Sequence, residues 1–263
     1  MTLSTSRKLR SRITNIMQRY TRQTDFAPLG ETGQRLLQRG RVLIVGCGAL
    51  GGTVADILVR SGVGRDGGVV TIIDSDTVQL SNLHRQTLFT ENDARCGRLK
   101  IDAAKKVLFA ADEKASVETI AGRFDEKRIS MVSNHDVLID ATDNFPTRFL
   151  LNRTAVKYRK PFVTAGVAGA SGQTLTVLPG RTACLECFLD SVHHGDAVTT
   201  VPVLPPLPQM LAAMEAMEAI KILSGHEDAA NRSLVAVDLW ENRIRRLEIS
   251  RNKNCPVCGT ARK

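Results

Sequence analysis
The chain has 263 residues, 43% of them hydrophobic and 24% charged, a balance that suits a folded globular protein and is too apolar for a disordered one. Its apolar stretches fall well short of the roughly 18 to 20 residues a membrane helix needs, and no apolar h-region marks a secretory signal, so a cytoplasmic location without membrane contact is expected. The net charge is +9, and most of it lies in residues 1–41, where nine Lys and Arg (Arg7, Lys8, Arg10, Arg12, Arg19, Arg22, Arg35, Arg39, Arg41) stand against Asp25 and Glu31.

Such an arm suits nucleic acid, an organelle transit peptide or the solvated face of a helix. Ile13, Ile16, Met17 and Tyr20 fall on one helical stripe, which favours the helix over a nucleic-acid partner. Beyond the arm, short β-branched runs alternate with longer helical patterns, the pattern of a mostly parallel, Rossmann-like doubly wound α/β sheet. Arg41 to Val45 reads as a strand, Leu50 to Ser61 as a helix, Val69 to Asp74 as a strand and Lys100 to Ala111 as a helix. Asp136 to Asp140 is again a strand, followed by a proline-opened helix from Pro146 to Tyr158 and strands at Phe162 to Ala165 and Gln173 to Leu178. Residues 189–207 lack periodicity and hold several prolines, which predicts a long exposed loop. A helix from about Pro208 to Leu223 and strands near Leu234 to Leu239 and Ile244 to Ile249 complete the series. No linker or repeat interrupts it, so one domain is expected over 1–263, comprising a basic helical arm (1–40), a nucleotide-binding half (41–180) and a clasped half (181–263).

Four of the six cysteines form two C-x-x-C pairs, Cys184/Cys187 and Cys255/Cys258. Two such knuckles suit tetrahedral zinc, each gripping one edge of the tetrahedron with S–metal distances of about 2.3 Å. A closed four-sulfur shell leaves no position for catalysis, so this zinc would be structural and would clasp the C-terminus to the region near residue 184. A redox pair or disulfides are the alternatives. Cys47 and Cys96 remain as free thiols.

The run Val42 to Val45 leads directly into Gly46-Cys47-Gly48-Ala49-Leu50-Gly51, a G-x-G-x-x-G turn between predicted strand and helix. Gly46 would permit the tight turn, Gly48 would let a ligand approach the backbone, and Gly51 would let helix and strand pack closely while the helix N-terminus faces phosphate. Asp74, at the end of the second strand, can accept from a ribose hydroxyl. Ser81-Asn82-Leu83-His84-Arg85-Gln86 and Lys100 then place amides and cations beyond strand ends, which suits several phosphates better than a dry hydride-transfer pocket. Asp143 adds a carboxylate able to hold Mg²⁺. Taken singly, Arg85 and Lys100 read as solvated cations and Asp143 as a helix cap before Pro146; together they describe a triphosphate site.

The order of Arg19-Tyr20-Thr21-Arg22-Gln23, the glycine turn, Asp74-Ser75-Asp76, Ser81 to Gln86, Lys100, Ala141-Thr142-Asp143-Asn144 and both cysteine pairs resembles the ThiF/MoeB/HesA family across residues 17–259. These are adenylyltransferases related to ubiquitin-activating enzymes. The resemblance implies a homodimer that uses ATP and Mg²⁺ to adenylate the C-terminal glycine of a ubiquitin-like sulfur-carrier protein ending in Gly-Gly, in a pathway such as molybdopterin or thiamine biosynthesis. It further implies that Arg22 reaches the partner subunit's ATP site, that Asp74 holds the ribose, that Asn82, Arg85 and Lys100 hold the phosphates, that Asp76 and Gln86 also belong to the nucleotide site, and that Asp143 holds magnesium. A terminal carboxylate, with a pKa of about 3.3 to 3.7, is already a nucleophile at neutral pH, so no general base is required.

Some relatives carry a cysteine in the loop after the first knuckle. Here that stretch reads Ala197-Val198-Thr199-Thr200-Val201-Pro202, and no cysteine lies between Cys187 and Cys255. Adenylation alone is therefore expected, with sulfur delivered by a donor protein. A peptide or tRNA acceptor, or a nucleotide-binding partner without turnover, are the alternative readings. Residues 189–207 are the expected carrier-facing surface.

Overall fold
A computed structural model describes residues 18–189 and 201–259. The expected contacts of Ile13, Ile16 and Met17, and most of the 189–207 loop with Ala197 to Thr200, lie outside the described residues. Residues 18–24 form helix α1. After it come α2 (Gly30–Arg39), β1 (Arg41–Val45), α3 (Ala49–Arg60), β2 (Val69–Asp74), a 3-10 turn (Leu80–Asn82), α4 (Glu91–Arg95), α5 (Lys100–Ala111) and β3 (Val117–Ala121). The second half runs β4 (Val137–Asp140), α6 (Phe145–Tyr158), β5 (Phe162–Ala168), β6 (Ser171–Val177), α7 (Leu185–Leu189), α8 (Pro206–Leu223), β7 (Leu234–Asp238) and β8 (Arg243–Leu247).

The strands form one sheet in the order β3-β2-β1-β4-β5-β6-β7-β8. Pairing is parallel from β3 through β5 and antiparallel from β5 through β8. The fold is thus the expected mostly parallel doubly wound sheet, with an antiparallel extension at one edge. β1 reads Val-Leu-Ile-Val without alternation because both its faces are covered. Val42 and Ile44 join the apolar cluster formed with α3, α5 and α8, whereas Leu43 and Val45 join the one formed with α6, α7 and the cysteine knuckles.

Several elements depart from the sequence reading. α8 begins at Pro206, where proline fits the first turn because its missing N–H would have no intrahelical partner anyway. β6 spans Ser171–Val177, not Gln173 to Leu178, since its hairpin with β5 closes tightly at Ala168 and Ser171. Asn144, rather than Asp143, caps α6 by accepting from the Thr147 N–H at 3.0 Å. The Asp143 carboxylate is therefore not used as a cap. No helix among the described residues is long and apolar enough to cross a membrane.

Candidate active site
The glycine turn leaves the C-terminal end of β1, at the centre of the parallel half, where the strand order reverses between β1 and β4. Gly46 has φ +98°, and a Cβ there would meet the Ala141 carbonyl oxygen at 2.4 Å. A Cβ at Gly51 would lie 1.9 Å from the Gly46 carbonyl oxygen, so helix and turn touch through backbone alone. Gly48 differs: the nearest atom to a Cβ there is Gln86 Nε2, at 3.6 Å. The middle of the turn is thus open, and α3 has neither a side-chain cap nor an acid in its first turn, leaving its N–H groups for an anion.

Asp74, at the end of β2, ties that turn to its own loop. One carboxylate oxygen accepts from the Cys47 N–H at 2.6 Å and the other from the Asp76 N–H at 2.7 Å. Burial lifts its pKa above the ordinary carboxylate range against the pull of those two bonds. Each oxygen keeps a lone pair for a ribose hydroxyl. Asp76 is held by Lys100, whose Nζ donates at 2.8 Å while its side chain is 8% exposed. That charged hydrogen bond lowers the Asp76 pKa. The ammonium has three donors, of which Asp76 occupies one.

Across the turn, the Leu80–Asn82 turn and the residues after it carry Asn82, Arg85 and Gln86. Arg85 donates to the Ser81 carbonyl at 3.2 Å and lies 3.4 Å from the His84 ring nitrogen, leaving most of its five N–H groups unused. The Asn82 side-chain amide has no hydrogen-bond partner among the described residues, and Gln86 is buried with an unpartnered Oε1. Asp74, Asp76 and Lys100 are therefore linked in series to the glycine turn by hydrogen bonds, Gln86 lies nearest the open side of Gly48, and Asn82 and Arg85 are on the adjoining loop.

Asp143 lies on the loop after β4, exposed and without a hydrogen-bond partner among the described residues. One free carboxylate on the loop next to the glycine turn suits Mg²⁺, which keeps several waters and takes its other ligands from substrate phosphates. Beneath this loop is a buried cluster that the sequence did not single out. Asp140 has no exposed surface; it accepts from Thr142 Oγ1 at 2.5 Å and Thr164 Oγ1 at 2.6 Å and pairs with Arg148 Nε at 2.9 Å. Arg148 Nη2 donates to the Thr142 and Ala165 carbonyls, each at 2.8 Å, so the loop bearing Asp143 is fixed from below. Glu215 on α8 is wholly buried and neither of its carboxylate oxygens is hydrogen-bonded. Burial, aided by the negative charge of Asp140 and opposed by Arg148, pushes its pKa well up.

Arg22 is not brought to this site within the chain. Its helix is fastened at the other ends of α3 and α5: Arg19 Nη2 donates to the Ala111 carbonyl at 2.7 Å, Tyr20 to Asp112 at 3.3 Å, and Gln23 to the Ser61 carbonyl at 3.0 Å. Both helices have 12 residues, which puts roughly 18 Å of helix between that anchor and the glycine turn or Lys100. Arg22 itself is exposed.

The four knuckle cysteines are all buried, and their sulfurs lie within 4.8 Å of one another. The Cys184–Cys187, Cys184–Cys255 and Cys187–Cys258 separations are 3.9, 3.6 and 3.4 Å. A tetrahedron with metal–sulfur bonds of about 2.3 Å has edges of about 3.8 Å, so the cluster fits zinc. The Asn252 N–H donates to Cys187 Sγ at 3.4 Å, as expected of a sulfur carrying negative charge. Burial pushes the Cys184 and Cys187 thiols up, a cost that a bound cation would offset. Cys47 is buried in the glycine turn and Cys96 is exposed.

A nucleotide-binding α/β protein of the doubly wound class is thereby defined, with cations and a free carboxylate around an open glycine turn. The ThiF family profile matches residues 20–257, and the chain belongs to that family. It is 37% identical over 246 residues to the sulfur carrier protein ThiS adenylyltransferase of Bacillus subtilis (strain 168), covering 92% of this chain and 71% of the relative. It is 33% identical over 247 residues to the molybdopterin-synthase adenylyltransferase of Escherichia coli (strain K12), covering 92% and 96%. Among solved structures, E. coli MccB with MccA-N7isoASN superposes with a TM-score of 0.81 at 26% identity, over 92% of this chain and 75% of that one.

Proposed function
We propose that this protein adenylates the C-terminal glycine of a ubiquitin-like sulfur-carrier protein with ATP, releasing pyrophosphate for a pathway of cofactor biosynthesis. The observation that carries this reading is the set of groups with unused bonding capacity around the open glycine turn: Asn82, Arg85, Lys100 and Asp143. Relatives named for sulfur-carrier adenylation support the acceptor.

The carboxylate oxygen of the carrier forms a bond to the α-phosphorus of ATP as the bond from that phosphorus to the bridging oxygen breaks, and pyrophosphate leaves with the electron pair. Both reactants are anions at neutral pH, so the protein's task is positioning and charge neutralisation, not proton abstraction. Asp74 and Asp76 lie where ribose would bind, the α3 N-terminus and Gly48 face phosphate, and Arg85, Asn82 and Lys100 stabilise charge on the departing group. Asp143 would hold magnesium, which when bound neutralises phosphate charge. Arg22 serves the site of a second copy in a homodimer, since its own site lies at the far end of α3 and α5. The four-cysteine cluster would hold a structural zinc. Sulfur then reaches the acyl-adenylate from a donor protein.

A peptide acceptor is the second reading, favoured by the similarity to MccB, whose structures include one with MccA and AMPCPP. Labelled pyrophosphate exchange into ATP, run with a panel of purified carriers ending in Gly-Gly and of short peptides, tests both. Exchange with one carrier supports the proposal, exchange only with a peptide supports the second reading, and no exchange with any acceptor leaves a nucleotide-binding module without turnover.

A further inference from the structure
Arg85 lies on an exposed loop, yet its backbone carbonyl is held from across the molecule. Gln209, in the first turns of α8, donates from Nε2 to the Arg85 carbonyl at 2.9 Å, and its Oε1 lies 2.7 Å from Thr53 Oγ1, whose one proton it shares with the Ala49 carbonyl at 2.9 Å. The Arg85 carbonyl can only accept, which fixes the amide orientation. Thr53 lies on α3, the helix that opens at the glycine turn. One side chain thus joins the phosphate-facing loop, the helix behind the glycine turn and α8. The three residues are far apart in sequence, so the link belongs to tertiary structure alone.

The ends of this link differ in rigidity. α8 is anchored by Leu207, Leu211, Ala212, Ala216 and Ala219, all at 0% exposure, whereas Ser81 and His84 on the loop are exposed. The Arg85 N–H is already committed to the Asn82 carbonyl at 3.1 Å. Holding the next carbonyl as well fixes the backbone from which the guanidinium projects. An arginine held before the nucleotide arrives loses less conformational freedom on binding phosphate.

We infer that Gln209 is a positioning residue for Arg85, setting the phosphate-binding loop against the core of α8 and the glycine-turn helix. The inference rests on the adenylation reading of the site. Gln209→Met keeps length and removes both bonds, and Thr53→Val removes one while keeping the shape of the helix. With the best acceptor from the exchange panel, Gln209→Met should raise KM for ATP about tenfold, the upper range for one hydrogen bond, and leave KM for the acceptor unchanged. Thr53→Val should give a smaller rise in the same direction.

The discriminating readout is the double variant. If Gln209 acts through Arg85, Gln209→Met adds no further loss in an Arg85→Ala background; a general weakening of the fold would add in full. Unchanged KM for ATP in both single variants, or additive losses in the double variant, would overturn the inference. Normal exchange by Arg85→Ala alone would instead refute the site assignment, which keeps the two failures distinct. Should Gln209→Met fail to fold, Thr53→Val paired with Arg85→Ala decides by the same criterion.

Discussion
The two ends of helices α3 and α5 use their charged groups differently. At their C-terminal ends, Asp112 accepts from Arg65 Nε and Nη2 at 2.6 Å each, from the Lys114 N–H at 3.1 Å and from Tyr20 at 3.3 Å. Burial pushes the Tyr20 hydroxyl up to about 12, so it stays a neutral donor across the physiological range. At the N-terminal ends, Lys100 meets a single carboxylate, and Asn82 and Asp143 meet none of the described side chains. Charges whose bonds are filled within the chain hold the arm to the domain. Charges with bonds left over lie on the loops around the glycine turn.

The cysteine clasp belongs with the saturated groups, and breaking it should have the largest effect. Structural zinc contributes on the order of 10 kcal/mol to the folding of small zinc modules. Cys258→Ser should abolish stoichiometric zinc, read by elemental analysis, and lower the thermal midpoint more than any change below. Next comes the arm anchor. Asp112→Ala leaves Arg65 buried without its partner and should cost about 3–5 kcal/mol in urea unfolding.

The open end should respond in the reverse way. Arg85→Ala or Asp143→Ala should lower acceptor-dependent exchange by at least about a hundredfold, comparable to removing one preorganised donor, while the unfolding midpoint stays near wild type. A large loss of stability in either variant would erase the distinction between the two ends. Arg22→Ala should match that loss of exchange, and mixing it with Arg85→Ala should restore activity, because in the proposed homodimer a mixed pair would assemble one site with an intact arm and intact phosphate contacts. Failure to complement would return Arg22 to the surface.

Glu215 sharpens the comparison in a different way, being buried yet without a hydrogen bond. Its folded-state pKa is raised, so its stability contribution is complete below the unfolded value of about 4.3 and is lost as pH rises through the folded value, by at most about 1.4 kcal/mol per pH unit. The wild-type midpoint should therefore fall relative to Glu215→Gln as pH rises from 5 to 8. Parallel curves for the two proteins would mean that the folded-state pKa of Glu215 is not raised above its unfolded value.

The parallel centre of the sheet was legible because β1 and β4 are covered on both faces and so read as unbroken apolar runs. β3 was missed: this edge strand is half exposed and carries Glu118, which blurs its pattern. α2 was read only as part of a basic arm, although it buries Gln34, Leu37 and Gln38. At the site, the glycine turn and the charged residues near strand ends follow local rules and could be read directly. Asp140, Arg148, Glu215 and the Gln209–Thr53 link could not, because each gains its meaning from a neighbour distant in sequence. The spacing of the cysteine pairs foretold the four-sulfur cluster, since C-x-x-C is itself a local geometry.

The attack of a carrier carboxylate on the α-phosphorus is tested most directly by isotope. A carrier whose terminal carboxylate is enriched in heavy oxygen is incubated with the protein and ATP, the acyl-adenylate is cleaved at its carbonyl carbon, and the AMP released is examined by mass spectrometry. One heavy oxygen in AMP and none in pyrophosphate is the predicted result. Unlabelled AMP, or heavy oxygen in the pyrophosphate, would contradict it.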